Sequence, residues 1–319
     1  MKKFIPTIVL LVLLAGGWAF AHSQNYFQEQ ADEPEKLMGT EVIDSASITK
    51  FRIVNGDETT ELTKQDSQWV MTAPESYPVN TYAVDEWLNT ISSANLVTVV
   101  EENPTDLEKY GLSPEDKGIT ITTQDGGTVQ LALGNNLPNG DNVYAQIGGG
   151  QVVSISETTA TSLLLSPLQL MDTTPFEWDN DQLVSLEWES SDISWVLKRK
   201  EEQEGETTAW TLNGKSVELT DADSLMNQLK TIATDQVLQK PAQGKISFTV
   251  TAELKDGTTR VYQGLTDSSQ QGMFYVKTGQ DSSLAYIIPE ESLDKVLDTA
   301  KGLLDESAAE KETKSDTNE

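Results

Sequence analysis

Ile119-Thr120-Ile121-Thr122-Thr123-Gln124-Asp125-Gly126-Gly127-Thr128-Val129-Gln130-Leu131 is the stretch that decides the fold class. Apolar and polar residues alternate on both sides of an Asp-Gly pair. That is the pattern of two antiparallel strands joined by a tight turn whose glycine accepts positive φ. The same design returns at 248–262, FTVTAELKDGTTRVY, where Asp256-Gly257 stands 131 residues after Asp125-Gly126. A fixed interval of this size predicts an internal repeat.

Working outward, the two halves match in order. Each opens with an alternating strand, around Ile48, Phe51 and Ile53 or around Leu183, Leu186 and Trp188. Each continues to a tryptophan segment, Gln68-Trp69-Val70-Met71 or Ala209-Trp210-Thr211-Leu212. An amphipathic helix follows, striped by Val84, Trp87, Leu88 and Ile91 in one half and by Leu225, Leu229, Ile232 and Ala233 in the other. After the Asp-Gly hairpins come strands with Tyr144 and Tyr275, then a last strand leading into a helix. The reading is α+β: two repeated, mainly antiparallel β-sheet units with packed helices, spanning 46–165 and 183–304. A hinge is expected at 166–182, where Pro167 and Pro175 interrupt the pattern, and a disordered acidic tail at 305–319.

Ahead of the repeat, Lys2 and Lys3 precede the uncharged run Phe4–Ala21. As a helix those residues would span about 27 Å, close to a bilayer's hydrocarbon thickness. Positive charge before the run and acid after it predict a cytoplasmic N-terminus with the remainder extracytoplasmic. Ala19-Phe20-Ala21 also has the form of a signal-peptidase site, so 1–22 reads as a single-pass cell-membrane anchor or as a cleaved signal. No cysteine is present to make a lipoprotein. Residues 23–45 are polar and acidic, as in a flexible stalk.

The chain has 51 acidic against 22 basic residues, a net charge of −29, and both halves share the excess. Such a surface repels nucleic acid. The single histidine, His22, ends the leader, so the two units hold no Ser-His-Asp triad, His-ligated zinc or histidine proton shuttle. Carboxylate chemistry, a Ser-Lys pair or no chemistry remains.

Several clusters invite chemistry and have plainer readings beside it. Glu101-Glu102 and Glu290-Glu291 are adjacent acids, which diverge on a strand or helix and suit solvated surface. Asp221 and Asp223 suggest calcium, or a helix start capped by Thr220. Asn139-Gly140-Asp141-Asn142 fits a hairpin turn better than a calcium loop. Gly148-Gly149-Gly150 lacks the lysine of a phosphate loop. Lys198-Arg199-Lys200 reads as an exposed hairpin. Trp69, Trp87, Trp188, Trp195 and Trp210 offer a glycan platform or, by their spacing, core packing. No catalytic, cofactor or metal residue is assigned, and no cofactor is expected.

One segment is distinctive: Leu107-Glu108-Lys109-Tyr110-Gly111-Leu112-Ser113-Pro114. It predicts a short helix, capped by Asn103 with Pro104 in first position and ended by Gly111 in a left-handed cap, after which Leu112 folds back on Leu107. With Asp125-Gly126, Leu133-Gly134 and Tyr144 following, this stretch resembles the domain-of-unknown-function family numbered 4340. The resemblance covers about 70–160 closely and the second half more loosely, where Gln239-Lys240-Pro241-Ala242 stands near the place of the Tyr-Gly-Leu turn. It implies an exported, N-terminally anchored protein beside an ABC-type export permease, its ATPase and an auxiliary subunit. It brings no catalytic residues. The expected function is therefore a non-enzymatic, membrane-anchored extracytoplasmic accessory or binding subunit of an ABC-type export system. A free-standing envelope module binding glycan or another ligand is the alternative, and a carboxylate-dependent envelope hydrolase the third.

Overall fold

The computed structural model describes residues 35–37, 45–138, 140–200, 209–240, 243–267, 271–279 and 283–315. The leader, most of the stalk and the last four residues lie outside that range. Among the described residues no helix is long and apolar enough to cross a membrane.

The described residues form two antiparallel sheets, of eight and nine strands, with a few helices, which is an α+β architecture. In the first sheet, β1 (Ile48–Asn55), β2 (Glu58–Gln65) and β3 (Gln68–Ala73) form a meander. Helix α1 (Thr81–Ser93) follows, then β4 (Thr98–Glu101). A second meander, β5 (Lys117–Thr123), β6 (Thr128–Asn136), β7 (Asn142–Ile147) and β8 (Val152–Ser156), completes the order β3-β2-β1-β5-β6-β7-β8-β4. Two short helices, α2 (Glu157–Leu163) and α3 (Pro167–Leu170), come next.

The second sheet repeats the scheme. Its strands are β9 (Leu183–Ser190), β10 (Ser194–Arg199), β11 (Trp210–Leu212) and β12 (Lys215–Val217), then α4 (Leu219–Lys230) and β13 (Val237–Leu238). The closing meander is β14 (Lys245–Leu254), β15 (Thr259–Thr266), β16 (Met273–Thr278) and β17 (Ala285–Pro289), before α5 (Asp294–Ser315). The order β12-β11-β10-β9-β14-β15-β16-β17-β13 is that of the first sheet with one strand added. In both, the strand after the helix crosses to the far edge beside the last strand.

By contact the described residues divide into two compact units, those up to 57 with 86–164 and those of 58–85 with 165 onward. In the first, Trp87 on α1 stacks on Phe51 at 4.1 Å and its indole N–H donates to the Leu163 carbonyl at 2.9 Å. In the second, Trp188 lies between Phe248 at 4.6 Å and Trp195 at 6.4 Å. That unit also holds an antiparallel bridge of Val79 to Met171, flanked by bonds from Asn80 N to Leu170 O and from Asp172 N to Pro78 O, both 2.9 Å.

Local differences from the sequence reading have simple causes. The helix expected from Asn103 is a single 3-10 turn, Glu108–Tyr110, because Asp106 Oδ1 rather than Asn103 receives an early amide, that of Glu108 at 3.1 Å. Helix α4 starts after Glu218, not Thr220, and stops at Thr231, so Ile232 and Ala233 follow the helix instead of extending its stripe. Helix α5 continues through 305–315, where a disordered tail is expected; the sequence there is rich in alanine, glutamate and lysine, all strong helix formers.

Candidate functional site

Glu108–Tyr110 and Gly111 build the distinctive turn. Gly111 takes φ 66° and its N–H bonds the Glu108 carbonyl at 2.9 Å, while the Leu112 N–H reaches back to Leu107 at 3.2 Å. The side chain of Leu112 is thereby delivered into a small core with Ala132 and Val152, against which Leu107, Tyr110 and Tyr144 pack. Space under the turn is made by Gly134 on β6. A Cβ there would stand 2.2 Å from the Tyr110 carbonyl oxygen, so only glycine fits.

The turn holds the end of β4. The Tyr110 hydroxyl donates to Glu101 Oε2 at 2.6 Å, and Lys109 Nζ lies 2.9 Å from the same oxygen. The Lys109 ammonium also sits 4.7 Å from the centre of the Tyr110 ring, and that ring lies 4.8 Å from Tyr144. The Tyr110 hydroxyl, and after it Lys109, holds the Glu101 carboxyl below its ordinary value. The bond to Glu101 in turn raises Tyr110 and Lys109. Glu101 is thus an ionised acceptor whose donors are both committed, which is the electrostatics of a clamp.

Beyond the clamp, β4 is an edge. It pairs β8 on one side, with a bulge between Val99 and Glu101, and ends the strand order on the other. Val97, Val99 and Val100 are 55%, 39% and 37% exposed. A depression of about 380 Å³ lies beside the start of the strand, lined by Thr90, Ser93, Asn95, Val97, Ser156 and Thr159 among others.

A second concavity, of about 410 Å³, lies within the second unit and is lined by Asp172, Glu177, Arg260, Tyr262 and Tyr286 with apolar neighbours. Arg260 donates to the Glu177 carbonyl at 2.9 Å and to its carboxylate at 3.3 Å, and the Tyr262 hydroxyl donates to the same carbonyl. Burial raises Tyr262. Burial, with the negative charge of Asp172 and Glu177 behind it, raises Tyr286 further. Both phenols stay protonated well into alkaline solution.

The other sequence candidates are dispersed. Glu290 and Glu291 open a 3-10 turn, and Asp221 sits in the first turn of α4. Gly140 and Gly148-Gly149 take positive φ in hairpin connections. Arg199 is turned inward: Nε donates to Leu183 O at 2.8 Å, and the guanidinium lies 4.9 Å from the Trp210 ring centre. Lys200 Nζ donates to Ser216 Oγ at 2.6 Å, but this Ser-Lys contact is exposed and lacks the apolar enclosure that activates a lysine. Trp87, Trp188, Trp195 and Trp210 are all under 3% exposed and belong to the core. Among the described residues no group of three or more carboxylates or histidines is placed to hold a metal. Sequence reading did not single out Val97–Val100; its run of β-branched residues carries a strand signature, yet nothing in it says that the strand takes an edge.

No curated protein and no solved structure matches the chain. The family model described as Domain of unknown function (DUF4340) matches residues 69–246, which takes in the Tyr110-Gly111-Leu112 turn, its Gly134 seat and the start of the second sheet. With more than half of its length matched, the chain belongs to the DUF4340 family.

Proposed function

We propose that this protein is a non-enzymatic accessory subunit, tethered to the cytoplasmic membrane with its paired sheets outside, that works beside an ABC-type export permease. The lysine-led apolar run Phe4–Ala21 supports the tethering half, and the structure describes where the chain after that run joins the fold. Of the polar stalk, the described residues Glu35–Leu37 are fastened to the first unit: the Leu37 N–H bonds Ala94 O at 2.7 Å, the Leu96 N–H bonds Glu35 O at 2.9 Å, and Leu37 is 2% exposed. A leader anchored at Phe4–Ala21 would be joined to this fixed point by 13 residues, which reach at most about 45 Å. Anything the first unit binds would then be bound near the membrane, where the tether raises its effective concentration.

The export partner is supported by the family resemblance of the Tyr-Gly-Leu segment. Purification of the full-length protein from gently solubilised membranes tests it. The permease, its ATPase and the auxiliary subunit should be recovered together with it. Recovery of the intact chain from the soluble cytosolic fraction would end the proposal.

A second reading, a free-standing envelope module for a glycan or other small ligand, is favoured by the cavity between Asp172 and Tyr286. Its measure is retention on purified cell-wall fragments, lost in Arg260→Ala.

A further inference from the structure

We infer that the open side of β4 is a docking edge for an extended segment of another protein, a run of β-branched residues with lysine or arginine at one end. The edge already shows how such a segment binds. Along 94–97, the Leu96 N–H points to Glu35 and the next, that of Val97, points to Ser154 on β8. Successive N–H groups of a strand face opposite ways, so Glu35–Leu37 lies on the side away from β8. It forms one antiparallel rung there, Lys36 opposite Asn95. Past that rung, Thr98–Glu101 carries no strand neighbour on the same side among the described residues. Its exposed Val-Thr-Val-Val run is the kind of edge that recruits a further strand through main-chain hydrogen bonds.

The occupant is chosen by charge and by the backbone chemistry of the candidates. Continuing the register of Glu35–Leu37 upstream would set Pro34 opposite Val97, with Glu33 and Asp32 opposite the next two positions. Proline brings no N–H, and the two carboxylates would run toward Glu101-Glu102, so the chain's own stalk is a poor continuation. A second copy of the chain is equally poor. Around the end of β4, Glu101, Glu102, Asp106 and Glu108 outweigh Lys109, and each copy carries −29 overall. A segment with basic residues beside its β-branched run answers both features.

The surface is independent of which membrane complex supplies the segment, and the test reads the edge alone. Two synthetic peptides are added to the full-length protein, each an alternating valine-threonine octapeptide, one preceded by two lysines and one by two glutamates. Amide hydrogen exchange is followed at residues 97–101. The lysine peptide should slow exchange there at least tenfold, and the glutamate peptide should need at least tenfold more concentration for the same protection. The double variant Val97→Lys, Val99→Lys, whose sites are exposed, should keep its melting temperature and lose the protection. No protection by the lysine peptide at millimolar concentration would overturn the inference. So would equal protection by both peptides, or protection that rises with protein concentration alone and so identifies a second copy as the occupant.

Discussion

The two sheets run through the same strand order, yet they finish their far edges in different ways. In the first, the strand after the helix is the four-residue β4, and the Tyr110-Gly111-Leu112 turn ties down its last residue through Glu101. In the second, the same position holds the two-residue β13, and the Gln239 side chain just after it donates to the Ser76 carbonyl. Glycine marks the same divergence. Gly134 in β6 makes room for the backbone of the turn, whereas Gly264 in β15 makes room for the ring of its cross-strand partner Phe248. A shared topology therefore carries two local solutions, one a clamped and exposed edge, the other an aromatic filling. What was duplicated is the framework; the features able to carry function differ.

The largest expected effect breaks the first solution. Gly134→Ala puts a methyl group against the Tyr110 carbonyl, backbone on backbone, and should cost about 3 kcal/mol, the upper part of the overpacking range. Gly264→Ala meets the buried Phe248 ring, a side chain rather than backbone but one stacked on Trp188, at about 2 kcal/mol. Urea unfolding followed by tryptophan fluorescence gives both values, and an equal cost at the two sites would remove the distinction. Next come the buried tryptophans. Trp87→Phe leaves the Leu163 carbonyl without its indole donor and should lose about 2 kcal/mol. Trp188→Phe deletes an indole N–H that has no partner, and should lose at most about 1 kcal/mol. The same unfolding curves rank them.

Two smaller effects follow from titration. Tyr286 is raised in the folded chain, so its contribution is fully present below the unfolded tyrosine value of about 10 and is lost as pH climbs toward the folded value. Alkaline unfolding midpoints should fall from about pH 10 upward, and Tyr286→Phe should flatten that fall. Glu101 behaves oppositely. Its folded value is lowered, so its contribution is present above the unfolded carboxylate value of about 4.3 and disappears as pH drops through the folded one. Tyr110→Phe should move the Glu101 carboxyl back up, read by carbon-detected NMR titration, with little change in melting temperature because the phenyl ring keeps the packing of Tyr110. An unmoved Glu101 would mean that Lys109 alone holds it.

Much of the framework was legible in the sequence. Ile119–Leu131 and Phe248–Tyr262 are hairpins, the stripe of Val84, Trp87, Leu88 and Ile91 is buried on a helix, and Gly111 is the left-handed stop. Each is a matter of neighbours within about a dozen residues, where alternation, periodicity and backbone sterics suffice. The candidate site was legible only in part. Leu107–Pro114 stood out by order of residues, but its grip on Glu101 joins side chains through a turn whose geometry had to be seen. Asn103 and Thr220 were the wrong caps because the 3-10 turn starts after Leu107 and α4 after Glu218, neither of which caps through its side chain, so no cap residue marks these starts in the sequence.

By itself, the amino-acid order determined that this chain is acidic, holds its one histidine at His22, carries an uncharged apolar run at Phe4–Ala21, and is built from a repeated sheet-and-helix pattern, because each of these is a property of composition or local spacing. Tertiary structure alone decided that both helices are followed by a strand crossing to the far edge, and that Val97–Val100 meets solvent there. Strand order depends on pairings such as Val99 with Val153, between residues far apart in the chain. A β-branched run fits a central strand as well as an edge, and only the count of its neighbours tells the two apart.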